Sequence, residues 1–402
     1  MSAKEKLTNI GNSILNKAGE TATKFSNVKN ALLEKMKNSD REELIAFIFS
    51  RYGLIICITL ILLTMLYYFY YWSALFRIPR YLKKLENLTN YVNPKPFKSC
   101  STLNLSKYKL CDFYIASSSK SYLIGQQTND YVSADAITKV ILAGARMIEL
   151  DIFNETLATL TEPIVANGIE KGRNIETYNY VRFEECCKTL SECAFSKILI
   201  SNSDDPLFLY LKLNVDGNLS TLDKVAEIIS NYFYDKLLPK EYSYQNINIT
   251  QTNILDLFGK LIIISTPGFK NSKLDELVNY STGDYYMRQY AYDEIENAYT
   301  PEEITKFNKR YMSLIDANDD ISSSNKTPKI PWNYGCQFVG MNYQSQDAGL
   351  FEYLNQFHEY SFKLKPYPLR YHPLTYPAPK KQNKKLSFKP LKVDTPFYKQ
   401  TT

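Results

Sequence analysis

The chain has very little histidine. Of its 402 residues only His358 and His372 are histidines, both near the C-terminal end, so imidazole acid–base chemistry has just these two sources. Glycine is scarce too, at 14 residues, and no glycine-rich phosphate loop follows the first strand-like run, which argues against a nucleotide-binding sheet. The seven cysteines show neither metal-ligand spacing nor a paired framework. Cys186 and Cys187 are adjacent, Cys57 lies in a long apolar run, and free buried thiols are the expected state. A net charge of +6 is mild for this length and argues against a dedicated nucleic-acid binder, whose basic residues would cluster on one element.

What is present is an ordinary globular composition, 45% hydrophobic and 22% charged, enough for one large core or two smaller ones. Its wealth of Tyr, Asn, Lys, Ile and Phe has the look of an AT-rich genome. From Tyr52 to Phe76 no charged residue occurs, and L-I-I-C-I-T-L-I-L-L-T-M-L-Y-Y-F-Y-Y-W is long enough to cross a bilayer as a helix of about 20 residues. Its Tyr/Trp cluster at 67–72 fits an interfacial aromatic belt. A polar segment, 1–50, precedes it and no small-residue cleavage site follows, so the expectation is a single-pass anchor over 52–76, not a cleaved signal. Basic residues flank both ends equally, Lys35, Lys37, Arg41 and Arg51 against Arg77, Arg80, Lys83 and Lys84, and leave the topology open.

Residues 77–110 read as a connector with Pro94 and Pro96. The tail, 372–402, is rich in Pro and Lys, is expected to be extended, and has the charge to contact anionic lipid at roughly 1 kcal/mol per lysine near the surface. A merely solvated tail is the equal alternative. Asn87, Asn104, Asn154, Asn218, Asn248, Asn279 and Asn325 head N-x-S/T sequons that matter only if this region is lumenal, and an Asn-rich chain produces such matches by chance.

Between these segments, short apolar runs of strand length occur at Asp112–Ser118, Met147–Phe153, Pro163–Ala166, Leu207–Asn214, Lys260–Ser265 and Cys336–Tyr343. Helical patterns such as Ala134–Ala145 and Leu222–Tyr234 alternate with them. The alternation over about 260 residues predicts a parallel α/β barrel with its site at the C-terminal strand ends, although a doubly wound open sheet gives a similar pattern.

Specific motifs choose between these. Residues 114–151 read Y-I-A-S-S-S-K-S-Y-L-I-G-Q-Q…G-A-R-M-I-E-L-D, residues 331–344 read P-W-N-Y-G-C-Q-F-V-G-M-N-Y-Q, and residues 362–370 read F-K-L-K-P-Y-P-L-R. With L-D-E-L-V-N-Y-S from Leu274 between them, they resemble, in order, the X and Y regions of eukaryotic phosphoinositide-specific phospholipase C. The resemblance implies a TIM-type (β/α)8 barrel over 111–371 behind the single transmembrane helix. The family's pleckstrin-homology, EF-hand and C-terminal lipid-binding domains have no counterpart in this sequence.

The resemblance also implies a site, and there the chain departs from the family. Phospholipase C uses two histidines on the phosphodiester and a calcium ion that lowers the pKa of the attacking hydroxyl. Lys120 falls at the first histidine, or Ser121 does if the gap is placed differently, and Asn167 in P-I-V-A-N-G falls at the second. A lysine acts as a base only where strongly desolvated, and an asparagine shuttles no proton. Glu149 and Asp151 match two calcium ligands and, two apart on a strand, share one face. Lys212 aligns with the third carboxylate ligand, so the expectation is an internal ion pair of Lys212 with Glu149 and Asp151 where the metal would lie. Calcium is expected only if this residual site works, and no other cofactor is implied.

In the headgroup pocket Ile264 and Thr266 replace two lysines, Asp320 falls at an arginine and Lys326 at a tyrosine. Ser323, Ser324 and Asn325 survive and look more like turn formers than binding groups. The loop G-I-E-K-G-R-N after Ala166 and Asn167 is charged and poorly suited to enter lipid. Two function classes stay open. The preferred one is a membrane-anchored, catalytically inactive barrel serving as a structural or interaction module in a viral or organellar membrane. The other is a phospholipid or glycerophosphodiester phosphodiesterase with rearranged chemistry on Glu149, Asp151 and Lys120 or Lys212.

Overall fold

The structure is a computed structural model and describes residues 26–27, 30, 51–75, 77–88, 97–154, 162–168, 175–317, 323–372 and 392–401. The chain divides into two units, 1–80 and 81–402. The polar segment 1–50 falls almost wholly outside the described residues, as do the loop 169–174, Asp320 and the Lys-rich stretch 373–391.

The first unit contains helix α1, Arg51–Leu75. Its window Gly53–Trp72 has 20 residues and a mean hydropathy of 2.1, long and apolar enough to cross a membrane by length and composition. At about 1.5 Å per residue that window spans about 30 Å. Apolar side chains project all round it, with Ile55, Leu63, Met65 and Phe69 all exposed. Its two threonine hydroxyls turn back onto the helix, Thr59 Oγ1 donating to the Ile55 carbonyl and Thr64 Oγ1 to the Ile61 carbonyl.

The second unit begins within helix α2, Arg77–Asn87, so the expected connector is partly helical. Leu85 and Leu88 pack on Ile124 and Ala136. Tyr81 Oη donates to Ser133 Oγ at 2.8 Å, and Lys84 pairs with Asp130.

Eleven strands of one sheet follow: β1 Phe113–Ser118, β2 Met147–Asn154, β3 Pro163–Val165, β4 Val181–Arg182, β5 Leu207–Asn214, β6 Leu261–Ser265, β7 Tyr280–Ser281, β8 Met287–Ala291, β9 Met312–Asp316, β10 Phe338–Met341 and β11 Phe362–Leu364. Eight of them pair in parallel in the order β7-β6-β5-β2-β1-β10-β9-β8, the staves of a TIM-like barrel, with β7 and β8 at the two ends of the order. The predicted run Pro163–Ala166 is a strand but not a stave, because β3 pairs antiparallel with β2 and β4. The staves β7, β8 and β9 were not foreseen; they are short, and two of them sit among polar residues. Within the tail, which was expected to be extended, the described residues form a two-stranded hairpin, Lys392–Asp394 with Lys399–Thr401.

Helices α3 Ala134–Leu142, α4 Phe183–Cys193 and α5 Leu219–Phe233 cover one side of the barrel. The short helices α6 Tyr292–Glu296, α7 Pro301–Asn308, α8 Lys329–Asn333 and α9 Ala348–Gln356 complete the described set. Ser133 caps α3 by accepting the Asp135 N–H, and Asn218 caps α5 by accepting the Thr221 N–H. Helix α3 stops short of the predicted Ala145 because Gly144 turns the chain at φ +96, where a Cβ would also meet the Phe97 ring at 2.5 Å.

Side-chain alternation divides the core in two. Ile148, Leu150, Leu209, Leu211, Ile263 and Val339 point outward under the helices. Phe113, Ile115, Met147, Phe208, Ile262, Leu314 and Phe338 point inward and fill the barrel. Followed toward the strand C-termini, the inward positions turn polar: Met147 gives way to Glu149 and Asp151, Phe208 and Tyr210 to Lys212, Leu314 to Asp316. The same period that packs the core therefore builds the site.

Candidate functional site

An open cavity of about 650 Å³ lies at those strand ends, lined by Lys120, Asp151, Asn167, Lys212, Thr266 and Asp316 among others. Strand β1 delivers Lys120, β2 delivers Glu149 and Asp151, β5 delivers Lys212 and β9 delivers Asp316. Lys120 adopts φ +41, a left-handed turn just beyond β1, and its Nζ donates to Gln127 Oε1 at 2.7 Å. Asn167 follows β3, and its Nδ2 donates to the Gln127 carbonyl at 2.7 Å. The positions matched to the two histidines thus converge on one residue, although they are distant in sequence. Neither side chain there is an imidazole.

Lys212 is the electrostatic centre. Its Nζ lies 3.0 Å from Glu149 Oε1 and 3.3 Å from Asp316 Oδ1. The expected pairing with Glu149 is present, but the second carboxylate against the ammonium is Asp316, not Asp151. Asp151 accepts a bond from Tyr122 Oη at 2.9 Å even though it stands in register with Lys212 on the neighbouring strand. The reason is barrel curvature: β9 lies across the barrel from β2 and β5, and its inward carboxylate meets a long side chain reaching over the mouth. Ser119 Oγ holds the other Glu149 oxygen at 2.8 Å, and Gln289 Nε2 holds Asp316 Oδ2.

The Glu149 and Asp316 carboxylates meet the Lys212 ammonium in a poorly hydrated place, and the Asp151 charge acts on them from nearby. Burial pushes the Glu149 carboxyl up to about 7; Lys212 opposes this, and the Asp151 and Asp316 charges reinforce it. Burial works against the Lys212 charge as well, but Glu149 and Asp316 outweigh it and hold the ammonium well above its ordinary value. A calcium ion needs 6 to 8 oxygen ligands and would meet the Lys212 nitrogen between two of its carboxylates, so these residues do not fit the ion. Among the described residues no cluster of three or more His, Cys, Asp or Glu side chains is placed to hold a metal.

The remaining expected positions separate. Thr266 lines the cavity and accepts the Leu213 N–H at 2.9 Å, whereas Ile264 is buried in the barrel interior. Asn325 is a clasp: it accepts the Asn342 N–H at 2.7 Å, donates to the Asn342 carbonyl at 3.0 Å and gives its own N–H to Asp347 at 2.7 Å. Ser323 is buried at φ +54 and Ser324 is exposed. None of these three lines the cavity. Lys326 pairs with Asp293 and Glu296 instead. His358 bonds the Asn355 carbonyl and His372 the Tyr367 carbonyl, both exposed and outside the cavity.

Sequence reasoning missed Asp316, Gln289, Glu176 and Tyr122. The alternation in M-S-L-I-D, ending on an inward acid as E-L-D does, was the available signal for Asp316. The surviving motif W-N-Y-G-C-Q works at the other end of the barrel. Gln337 Nε2 donates to the Asn308 carbonyl at 2.9 Å and the Tyr311 carbonyl at 2.8 Å, and its Oε1 accepts the Ser313 N–H at 2.9 Å. Trp332 stacks on Tyr353 with ring centres 5.5 Å apart, and Cys336 is a free buried thiol pushed up to about 12 by its burial.

A model of the phosphatidylinositol-specific phospholipase C X domain matches residues 106–266, and that of the Y domain matches 262–366. The barrel belongs to the phosphatidylinositol-specific phospholipase C family. Among curated proteins, the phospholipase C barrel is similar to the mouse 1-phosphatidylinositol 4,5-bisphosphate phosphodiesterase beta-1, 23% identical over 347 residues, covering 64% of this chain and 27% of that one. It is also similar to the human inactive phospholipase C-like protein 1, 25% identical over 291 residues, covering 59% of this chain and 25% of that one. The chain thus spans about a quarter of the length of these relatives. Among solved structures, PLC21 of S. officinalis shares the fold with a TM-score of 0.56 and 22% identity, over 66% of this chain and 38% of that one.

Proposed function

We propose that the protein is a membrane-anchored phospholipase C-like barrel without phosphodiesterase activity, acting as a structural or interaction module. The observation that carries this reading is the convergence of Lys120 and Asn167 on Gln127 at the place where the family presents two histidines. With neither side chain able to pass a proton as imidazole does, the inositol hydroxyl has no matched base and the leaving group no matched acid. Lys212 between Glu149 and Asp316 removes the means of lowering the pKa of that hydroxyl. Helix α1 serves as the single-pass anchor in this reading, and the lysines of the tail lie against anionic lipid.

One observation favours a second reading. Glu149, with its carboxyl pushed up to about 7, is poised to take a proton near neutral pH, as a rearranged phosphodiesterase would require. The deciding experiment incubates full-length protein in detergent with labelled phosphatidylinositol and its phosphates, with and without calcium. No turnover is expected. Turnover abolished by Asp151→Asn overturns the inactive reading.

A further inference from the structure

We infer that the Lys212 ammonium is a built-in replacement for a divalent cation, so that the barrel mouth neither requires calcium nor admits it. The inference concerns the cation position alone and goes beyond the question of lipid turnover. Three features of the mouth support it together.

The first is convergence. Glu149 and Asp316 come from strands β2 and β9 and present oxygens to a single point, where Lys212 Nζ sits at 3.0 and 3.3 Å. Calcium–oxygen bonds run about 2.3–2.6 Å, so the same two oxygens would reach a dication at that point by closing in by less than about 1 Å. Ammonium and dication cannot share it. The second is that the carboxylates are aimed. Ser119 Oγ holds Glu149 Oε2 at 2.8 Å and Gln289 Nε2 holds Asp316 Oδ2, which turns the opposite oxygens toward the lysine. A surface ion pair formed by chance has no such second set of donors.

The third is confinement. The Lys212 side chain is 17% exposed and Glu149 only 1%, and the ammonium lies over the Tyr210 ring at 5.9 Å. An incoming ion would therefore have to displace an ammonium already held by the same carboxylates that it needs. One positive charge nevertheless does less than two. Among the described residues lining the mouth, the acids Asp151, Glu176, Asp216 and Asp316 outnumber Lys120 and Lys212.

The test uses full-length protein in detergent micelles, titrated calorimetrically with calcium chloride and melted in chelator or in millimolar calcium. Wild type is expected to give no binding heat and the same melting midpoint in both. Lys212→Glu is expected to acquire saturable calcium binding, lost again when Glu149→Gln is added, and a midpoint raised several degrees by calcium. Micromolar calcium binding by wild type that Glu149→Gln abolishes overturns the inference, as does a folded Lys212→Glu that binds none. If Lys212→Glu fails to fold, Lys212→Met decides: its midpoint should fall in chelator and recover in calcium, and a midpoint indifferent to calcium overturns the proposal. Lipid turnover independent of calcium would defeat the inactive reading and leave this one standing, while calcium binding by wild type would do the reverse.

Discussion

The two ends of the barrel are built from the same strands and have been held to different standards. At the closed end Gln337 satisfies the backbone of β9 and α7, Asp112 accepts the Lys109 and Tyr371 N–H groups, and buried Lys365 donates to the Asn308 carbonyl at 3.0 Å. These groups do what the fold needs, and their motif is intact. At the open end, the positions that the resemblance matches to the family's site residues carry other side chains. Lys120, Asn167 and Lys212 each find a partner within the mouth. Among the described residues, the charged and polar groups of the mouth are tied to one another through Gln127, Glu149 and Asp316.

That contrast is broken most severely at Lys212. Lys212→Met leaves Glu149 and Asp316 facing each other without a counter-charge, and a loss of about 3–5 kcal/mol is expected in urea unfolding. Adding Glu149→Gln should recover a large part of it. If the single variant loses less than about 1 kcal/mol, the mouth is not a self-contained network. The closed end is probed by Gln337→Leu, which strands the buried Ser313 N–H and the Tyr311 carbonyl while Lys365 still serves the Asn308 carbonyl, and should cost about 3 kcal/mol. Because no charge changes, this loss should be the same at low and high salt, whereas that of Lys212→Met should depend on salt.

A pH series sharpens the comparison further. Burial pushes Lys365 down to about 8 from its ordinary 10.5, with Cys111, Cys336 and Asp112 opposing that fall. Between those values the unfolded chain binds the proton more fully than the folded one, so this group's contribution makes stability rise with pH. The rise should be about 2 kcal/mol from pH 8 to pH 10, read as the difference between wild type and Lys365→Met. Glu149 acts in the opposite sense at the other end. Its folded value near 7 lies above the ordinary 4.5, so its contribution is fully present below that ordinary value and lost as pH rises toward 7. A Lys365→Met curve parallel to wild type would remove the closed end from this contrast.

How much of this was legible in the sequence follows the same division. The closed end was readable because its residues sit in contiguous motifs: P-W-N-Y-G-C-Q carries Trp332, Cys336 and Gln337 together, and β5 Leu207–Asn214 was placed to the residue. The mouth was readable only along single strands. Glu149 and Asp151 follow from alternation within E-L-D, but the partner of Lys212 depends on which strand stands across the barrel, a property of closure that no local spacing encodes. Pro163–Ala166 was misplaced for a related reason, since an apolar run looks the same whether it joins the ring or pairs antiparallel on its flank.

The smallest expected effect tests how deeply the mouth has been remodelled. Lys120→His with Asn167→His restores both imidazole positions, and the backbone should accept them: histidine is among the residues that tolerate a left-handed turn such as φ +41 at position 120. The change exchanges one charge-assisted and one neutral hydrogen bond to Gln127 for bonds from imidazole, so stability should move by about 1 kcal/mol. Hydrolysis of phosphatidylinositol should remain absent with calcium present, because Lys212 still stands between Glu149 and Asp316. Calcium-stimulated turnover by this double variant would show instead that two side chains were all the barrel had lost.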